Sequence, residues 1–408
     1  MSVIFSDSHV PEAANASDNQ QEAANASDNQ QAAANASDNP QALAAGGILT
    51  IDLGALRANY KLIADAITPT RTAAVVKADA YGLGADKVAP QFYAAGCRDF
   101  FVAHLSEALN LQPHIGKDAT IYILNGLQPQ TEKLCADHNI VPVLNSLEQL
   151  QNWAALAKAQ NRSLPALLQL DTGMSRLGLS EQELKELLAD QSLLDCVDVK
   201  FIISHLASGD NVQSPQNKAQ LERMQAVLKL LPQYAVAFSN SGGTFMERSY
   251  HYDLARPGIA LYGGAPQENA PNPMQPVVSL QARVIQCRSV PAKTLVGYGG
   301  SYETQTETRI ATIAVGYADG WPRHLSNKGC AYYGDVRLPI IGRVSMDSIT
   351  LDVSALPEGT LKLGSLVELI GSHQTLEQVA QDAGTITYEV LTSLGNRYHR
   401  IYINDILA

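Results

Sequence analysis

The sequence predicts a parallel (β/α)8 barrel of the TIM type followed by a mostly β domain, and three observations carry that prediction. Eight short apolar or β-branched runs recur between residues 73 and 261. Most are separated by stretches of helical periodicity, a pattern that makes neighbouring strands run parallel with helices outside them. After about residue 278 the runs crowd together, with Gly, Pro and Asp between them and one short helical stretch, as in an antiparallel β domain. The 408 residues suit two domains, because single cores stop growing near roughly 250–300 residues.

Taken in order, residues 1–46 read as a disordered low-complexity tail. PEAANASDNQ, QEAANASDNQ and QAAANASDNP succeed one another with a ten-residue period. Without aromatic anchors these residues bury too little surface to offset the entropy of ordering. The barrel is assigned to 47–278, with strands at 73–76, 99–102, 120–124, 141–144, 166–170, 200–204, 236–238 and 254–261. Ser180 and Glu183 form a capping box that opens the helix running through LKELLAD. LEQLQNWAALAKA and LERMQAVLKLL carry 3.6-residue periodicity. ILTIDL at 49–54 precedes the alternation and is a candidate partner for the second domain, 279–408. A doubly wound sheet is the alternative, but no G-x-G-x-x-G follows the first strand.

Composition narrows the function. The 29 basic and 40 acidic residues leave a net charge of −11, six units of it in the tail. That balance argues against nucleic acid, which needs clustered Lys and Arg. No apolar run is long enough for a bilayer, so no membrane partner is expected. The five cysteines are scattered with no CxxC pair, which reads as reduced thiols, a cytoplasmic setting and no metal site.

Barrel active sites lie at the C-terminal ends of the strands, so the residues after each run are the candidates. Lys77 follows the first run, in VVKADAYGLG. A charged amine there is poorly solvated; burial lowers its pKa and yields a nucleophile suited to an imine with an aldehyde cofactor. Alone, a lysine at a strand exit is more often a plain surface residue. Asp171 and Arg176 follow the fifth run and His205 the sixth. Ser241, Gly242, Gly243 and Thr244 follow the seventh and offer N–H groups and hydroxyls to a phosphate. Arg256, Gly258 and Ile259 follow the eighth. Together these put Lys, Arg, His and a phosphate cradle on one barrel face.

The motifs AVVKADAYGLG, LDTGMSRLG, NSGGT, ARPGIALYG, VGYGGSY, IAVGYADGWPR, GRVSMDSITLDV and TYEVLTSLGNR occur in this order. In them the chain resembles the bacterial alanine racemases, pyridoxal 5'-phosphate enzymes of fold type III, over about residues 48–407. The resemblance implies that Lys77 binds the cofactor aldehyde and serves as one catalytic base. Tyr298 is then the base on the opposite face, supplied by the partner subunit of a homodimer with shared active sites. Arg256 faces the pyridine nitrogen. Tyr81, Ser241, Gly258, Ile259 and Tyr388 hold the phosphate, and His205 links Tyr298 to Arg256. Arg176 meets the cofactor phenolic oxygen and the substrate carboxylate. The Met346 N–H also meets that carboxylate, with Asp347 in the same loop, and Tyr317 and Tyr388 gate the substrate corridor.

Those residue types suit racemisation. A proton leaves Cα on one face and another returns on the other, which calls for two acid–base groups flanking a planar centre. An unperturbed tyrosine near pKa 10 is a weak base at neutral pH, and Arg256 and His205 would favour its phenolate. The expected reaction interconverts L- and D-alanine, for peptidoglycan or for alanine catabolism. Gln169 departs from the family pattern: many relatives carry a carbamylated lysine there, so Arg176 must be oriented otherwise, for instance by Gln169 with an anion such as chloride. That change leaves a broader-specificity amino-acid racemase as the alternative. A fold-type III decarboxylase lacks the RPG arginine, the VGYGGSY tyrosine and the SMDS loop. A non-catalytic PLP-binding protein resembles the barrel alone.

Overall fold

The computed structural model describes residues 39–407. The repeat tail assigned to 1–46 lies outside the described residues up to 38. Its last stretch departs from the expected disorder. Pro40–Ala44 is a short helix capped by the Asn39 side chain, which accepts from Gln41 N. Ala42 is buried against Ile48, and Arg283 donates to the Ala42 and Ala45 carbonyls. A packed side chain and a bound arginine hold this stretch in place.

Strand β1 (Gly47–Asp52) is buried along its whole length. It pairs antiparallel with β11 (Val278–Val290) and parallel with β19 (His399–Ile403), so the opening strand belongs to the sheet of the C-terminal half. Asp52 then caps helix Leu53–Ile67, its Oδ1 accepting from Gly54 N and Ala55 N. This hinge sends the chain into the barrel.

The barrel is a parallel sheet of β2 (Arg71–Thr72), β3 (Ala74–Val75), β4 (Asp99–Val102), β5 (Thr120–Ile123), β6 (Val141–Leu144), β7 (Leu164–Gln169), β8 (Val197–Ile203), β9 (Val236–Ala237) and β10 (Leu254–Ala255). β2 and β3 are one stretch of chain interrupted at Ala73. β2 pairs with β10 and β3 with β4, which draws the two edges of the sheet together. The outer helices bury one stripe each. In Leu147–Ala159 the stripe is Leu150, Trp153, Ala154 and Ala157, the i, i+3, i+4, i+7 set of an amphipathic helix. The Ser180–Glu183 capping box opens helix Glu181–Ala189 as the sequence predicts. The last predicted strand, 254–261, is too long: β10 stops at Ala255 because Pro257 and Gly258 turn the chain, and Ile259–Tyr262 is a 3-10 turn.

The C-terminal sheet turns about β11. Its first half pairs with β1 and β18 (Leu366–Ile370), and after a bulge between Val284 and Gln286 its second half pairs with β14 (Thr308–Ile313). β15 (Cys330–Tyr333), β16 (Val336–Pro339) and β17 (Ile349–Asp352) add further antiparallel pairings, and β12 (Leu295–Val296) pairs with β13 (Tyr302–Glu303) in a separate hairpin. Two helices follow β18. The sequence predicts Leu376–Ala383; Thr387–Ser393 is an addition. The second helix packs on the barrel mouth: a β-carbon on Gly82 would lie 2.7 Å from the Leu391 carbonyl oxygen. Arg400 donates to the Gly82 carbonyl and Tyr402 to that of Leu83, fastening the two halves together around the lysine loop.

Candidate active site

Lys77 stands two residues beyond β3 and opens an unusual turn. Residues 78–81 all have positive φ, between 53° and 57°, although none is glycine. Left-handed backbone costs roughly 1–2 kcal/mol per L-residue, so this turn persists only because its surroundings hold it. Ala80 N donates to Val76 O and Gly84 N to Asp79 O. The Asp79 carboxylate accepts from Ala85 N, and the Glu107 carboxylate accepts from Ala78 N at 2.7 Å. The turn drives Tyr81 inward, stacked on Tyr262 with ring centroids 4.4 Å apart.

The lysine amine sits in a field of cations. Burial pulls its pKa down, Arg176 and Arg256 pull it further, and Glu107 works against them. Arg256 is itself buried, and burial lowers its guanidinium to about 9, still protonated at neutral pH. One terminal nitrogen donates to the carbonyls of Ser204 and Phe238. Its Nε–H is buried with no acceptor. A buried donor left unpaired costs on the order of 1–3 kcal/mol, so this atom marks where an acceptor belongs. His205 is held well below the ordinary histidine range, first by burial and then by Arg256, Arg176 and Lys77, so it is neutral.

The turns carrying these side chains are fixed by polar anchors. Asp171 Oδ1 accepts from the N–H groups of Gly173, Met174 and Ser175, which shapes the turn that presents Arg176. Gln169 lies buried beneath that turn, its Cγ 3.1 Å from where a Gly178 β-carbon would stand. Gln220, on helix Pro215–Leu228, donates to His205 O and accepts from Ala207 N.

The phosphate-cradle residues also converge. Ser241 Oγ accepts from Gly258 N at 2.9 Å and from Ala260 N at 3.3 Å. A β-carbon on Gly258 would stand 2.1 Å from the Tyr81 hydroxyl, so only glycine fits beneath that phenol. Ile259 opens the 3-10 turn, where backbone N–H groups lack intrahelical acceptors. The Thr244 hydroxyl is taken by the Ser241 carbonyl. Tyr388, from the C-terminal half, lies 6.1 Å from Tyr81 by ring centroids.

The remaining candidates form a second group in the β domain. Tyr317 N donates to Ser345 O and Ala318 N to Met346 O, so the Tyr317 loop and the Met346–Asp347 loop are hydrogen-bonded together. Arg397 clamps both: it donates to the two oxygens of buried Asp319 and to Asp347 Oδ1. Tyr298 stands on a turn of this domain and is 71% exposed in its own chain. Sequence reasoning gave no role to Glu107, Gln220, Asp319 or Arg397. Glu107 has the N3 capping position of helix Leu105–Leu111 as its only sequence signal, and Arg397 ends a motif otherwise noted for Tyr388.

A buried amine among arginines, at the C-terminal mouth of a barrel, is the arrangement of an enzyme site. The comparisons specify it. Residues 51–266 match the family described as Alanine racemase, N-terminal domain, and 277–402 match Alanine racemase, C-terminal domain. The alanine racemase of Brucella canis is 63% identical over 374 residues, covering 88% of this chain and 94% of that one. A protein of Agrobacterium fabrum named alanine racemase, catabolic, is 59% identical over 88% of this chain and 92% of its own. The crystal structure of alanine racemase from Bartonella henselae with covalently bound pyridoxal phosphate superposes with a TM-score of 0.86 at 46% identity, over 88% of this chain and all of that one. The chain belongs to the alanine racemases, a family of amino-acid isomerases.

Proposed function

We propose that this chain interconverts L- and D-alanine with pyridoxal 5'-phosphate held on Lys77, as a homodimer in which each barrel is completed by Tyr298 of the partner subunit. The observation that carries the reading is the buried, unpaired Nε–H of Arg256, within electrostatic reach of Lys77 through the field both share. An unprotonated ring nitrogen would be the acceptor that this donor lacks. For a phosphate, Ser241 has its hydroxyl proton, because its oxygen already accepts from Gly258 N, and Ile259 has a backbone N–H; Gly258 leaves room beneath the Tyr81 phenol, with Tyr388 beside it.

When bound, the cofactor supplies an aldehyde for the amine and a conjugated ring that spreads the electron pair left at Cα. The protein does the rest. Arg176 brings a cation to the substrate carboxylate, and the loop of Met346 and Asp347 adds an N–H. The lowered Lys77 pKa raises the fraction of neutral amine able to take the α-proton on one face. The Tyr298 phenol serves the other face. Its exposure within its own chain fits a residue that works in a neighbour's site, as does the Lys77 field, which holds Arg176, Glu107 and Arg256. Arg256, still protonated at neutral pH, would face the ring nitrogen as a donor that keeps its proton, which would restrain electron withdrawal into the ring. Neutral His205, which shares its field with Arg256, would connect that arginine to the incoming phenol.

Enantiomers have equal free energy, so these residues serve either direction, and concentrations decide between supplying D-alanine for peptidoglycan and feeding catabolism. A relative named catabolic and a solved structure named biosynthetic, from Pseudomonas aeruginosa, both resemble this chain. Five unpaired thiols suit the cytoplasm, and no helix of the described residues is long and apolar enough to cross a membrane. The test is α-deuterated L-alanine. Washout of deuterium with D-alanine formed and no CO2 released supports the proposal. CO2 release would make the protein a decarboxylase, and no turnover would make it a binding protein.

A further inference from the structure

We propose that Glu107 is a positioning residue for Lys77: its carboxylate ties the ends of the first two barrel strands together and fixes the direction in which the lysine leaves its strand. The proposal rests on the reading of Lys77 as the working amine.

The geometry starts from the turn. Four consecutive left-handed residues after Lys77 form a costly conformation that intraloop bonds secure mainly at its far end, through Leu83, Gly84 and Ala85. At its near end, the first N–H after the lysine, that of Ala78, donates to Glu107 Oε1 at 2.7 Å. The other carboxylate oxygen accepts from Ala103 N at 2.6 Å and His104 N at 3.0 Å, the residues that leave β4. One carboxylate thus takes three backbone donors from two adjacent strand ends. Glu107 sits in the first turn of helix Leu105–Leu111, so its own backbone is anchored. A neutral or shorter side chain at 107 cannot hold both strand ends and also oppose the arginines.

The charge matters as well as the reach. The groups bearing on the Lys77 amine are Arg176 from the loop after β7, Arg256 from the loop after β10, and Glu107; His205, after β8, lies in the same field and is neutral. Glu107 is the one among them that favours the protonated amine. Without it the amine would titrate lower and, with Ala78 released, would be less fixed in direction. Asp79 makes an informative control: it clamps the same turn through Ala85 N, yet it is not among the groups acting on Lys77.

The experiment reads the amine directly. The full chain is freed of cofactor with hydroxylamine, and the pH dependence of Lys77 acetylation by acetic anhydride is followed by peptide mass spectrometry. Glu107→Gln is expected to lower the labelling midpoint by roughly half a pH unit or more, and to weaken imine formation with added pyridoxal phosphate, read by absorbance, about ten-fold. Asp79→Asn, which removes a charge from the same turn but keeps an acceptor, should leave the midpoint at the wild-type value. An unmoved midpoint in Glu107→Gln, or the same shift in both variants, overturns the proposal. If Glu107→Gln does not fold, Glu107→Asp decides. It keeps the charge and shortens the arm, so weakened imine formation supports positioning and wild-type affinity rejects it. Because acetylation needs no cofactor, a result against Glu107 is distinguishable from Lys77 failing to bind pyridoxal phosphate, which wild-type absorbance reports by itself.

Discussion

The Cα of Gly258 lies so close under the Tyr81 phenol that a β-carbon there would stand 2.1 Å from the hydroxyl oxygen. These two residues, 177 positions apart in the chain, come from the first and last turns of the barrel mouth, and their contact closes the proposed phosphate cradle around Ser241. Gly258→Ala must therefore displace Tyr81, which is wedged between Tyr262 and Tyr388. The expected cost is about 1–3 kcal/mol of stability, with at least ten-fold weaker uptake of pyridoxal phosphate. Absorbance titration of the cofactor-free protein checks this.

Arg397 is the common support of the Tyr317–Asp319 turn and the Met346–Asp347 loop. Arg397→Ala leaves Asp319, which is almost wholly buried, as an unpaired charge. A loss of about 1–3 kcal/mol is expected in urea unfolding, together with a higher KM for alanine as the Met346 N–H loses its fixed position. Arg397→Lys keeps a charge but not the fork that grips two carboxylates, and it should recover only part of either loss.

Acid should expose His205. Its pKa in the folded chain is far below 6.5, held there by burial and three neighbouring cations. Below about pH 6.5 the unfolded chain takes up this proton and the folded chain does not, so stability falls as pH falls. Above that value the contribution is complete. One such group contributes a slope of up to about 1.4 kcal/mol per pH unit. Urea unfolding from pH 7.5 to 5 should therefore decline less steeply in His205→Asn than in the wild type. Parallel curves would mean that His205 is not the group responsible.

The fold was legible where local pattern and global position agree. The β4 to β8 runs alternate with helices whose apolar stripes face inward, and the Ser180–Glu183 box marks its helix start without help from the rest of the chain. The left-handed turn at 78–81 was not legible. Of Ala, Asp, Ala and Tyr only Asp tolerates left-handed backbone readily, and the bonds that impose the run of four come from Glu107, in the next βα unit, and from residues further along its own loop. The parallel pairing of β1 with β19 joins opposite ends of the chain, which no periodicity announces. At the site, residues whose type announces chemistry, such as Lys77 and Arg256, stood out. Those that act through backbone N–H groups, such as Glu107 and Gln220, look like ordinary helix residues until the folded chain shows what they hold.

In the proposed dimer, Lys77 and Tyr298 act in one site but come from two chains. Mixing Lys77→Ala chains with Tyr298→Phe chains, with subunits allowed to exchange, measures this most directly. In random exchange half of the dimers are mixed, and each holds one intact and one doubly altered site, so racemase activity should rise to about a quarter of the wild-type value. Activity that stays at the mean of the two inactive parents, with exchange verified by mass, would contradict the shared site.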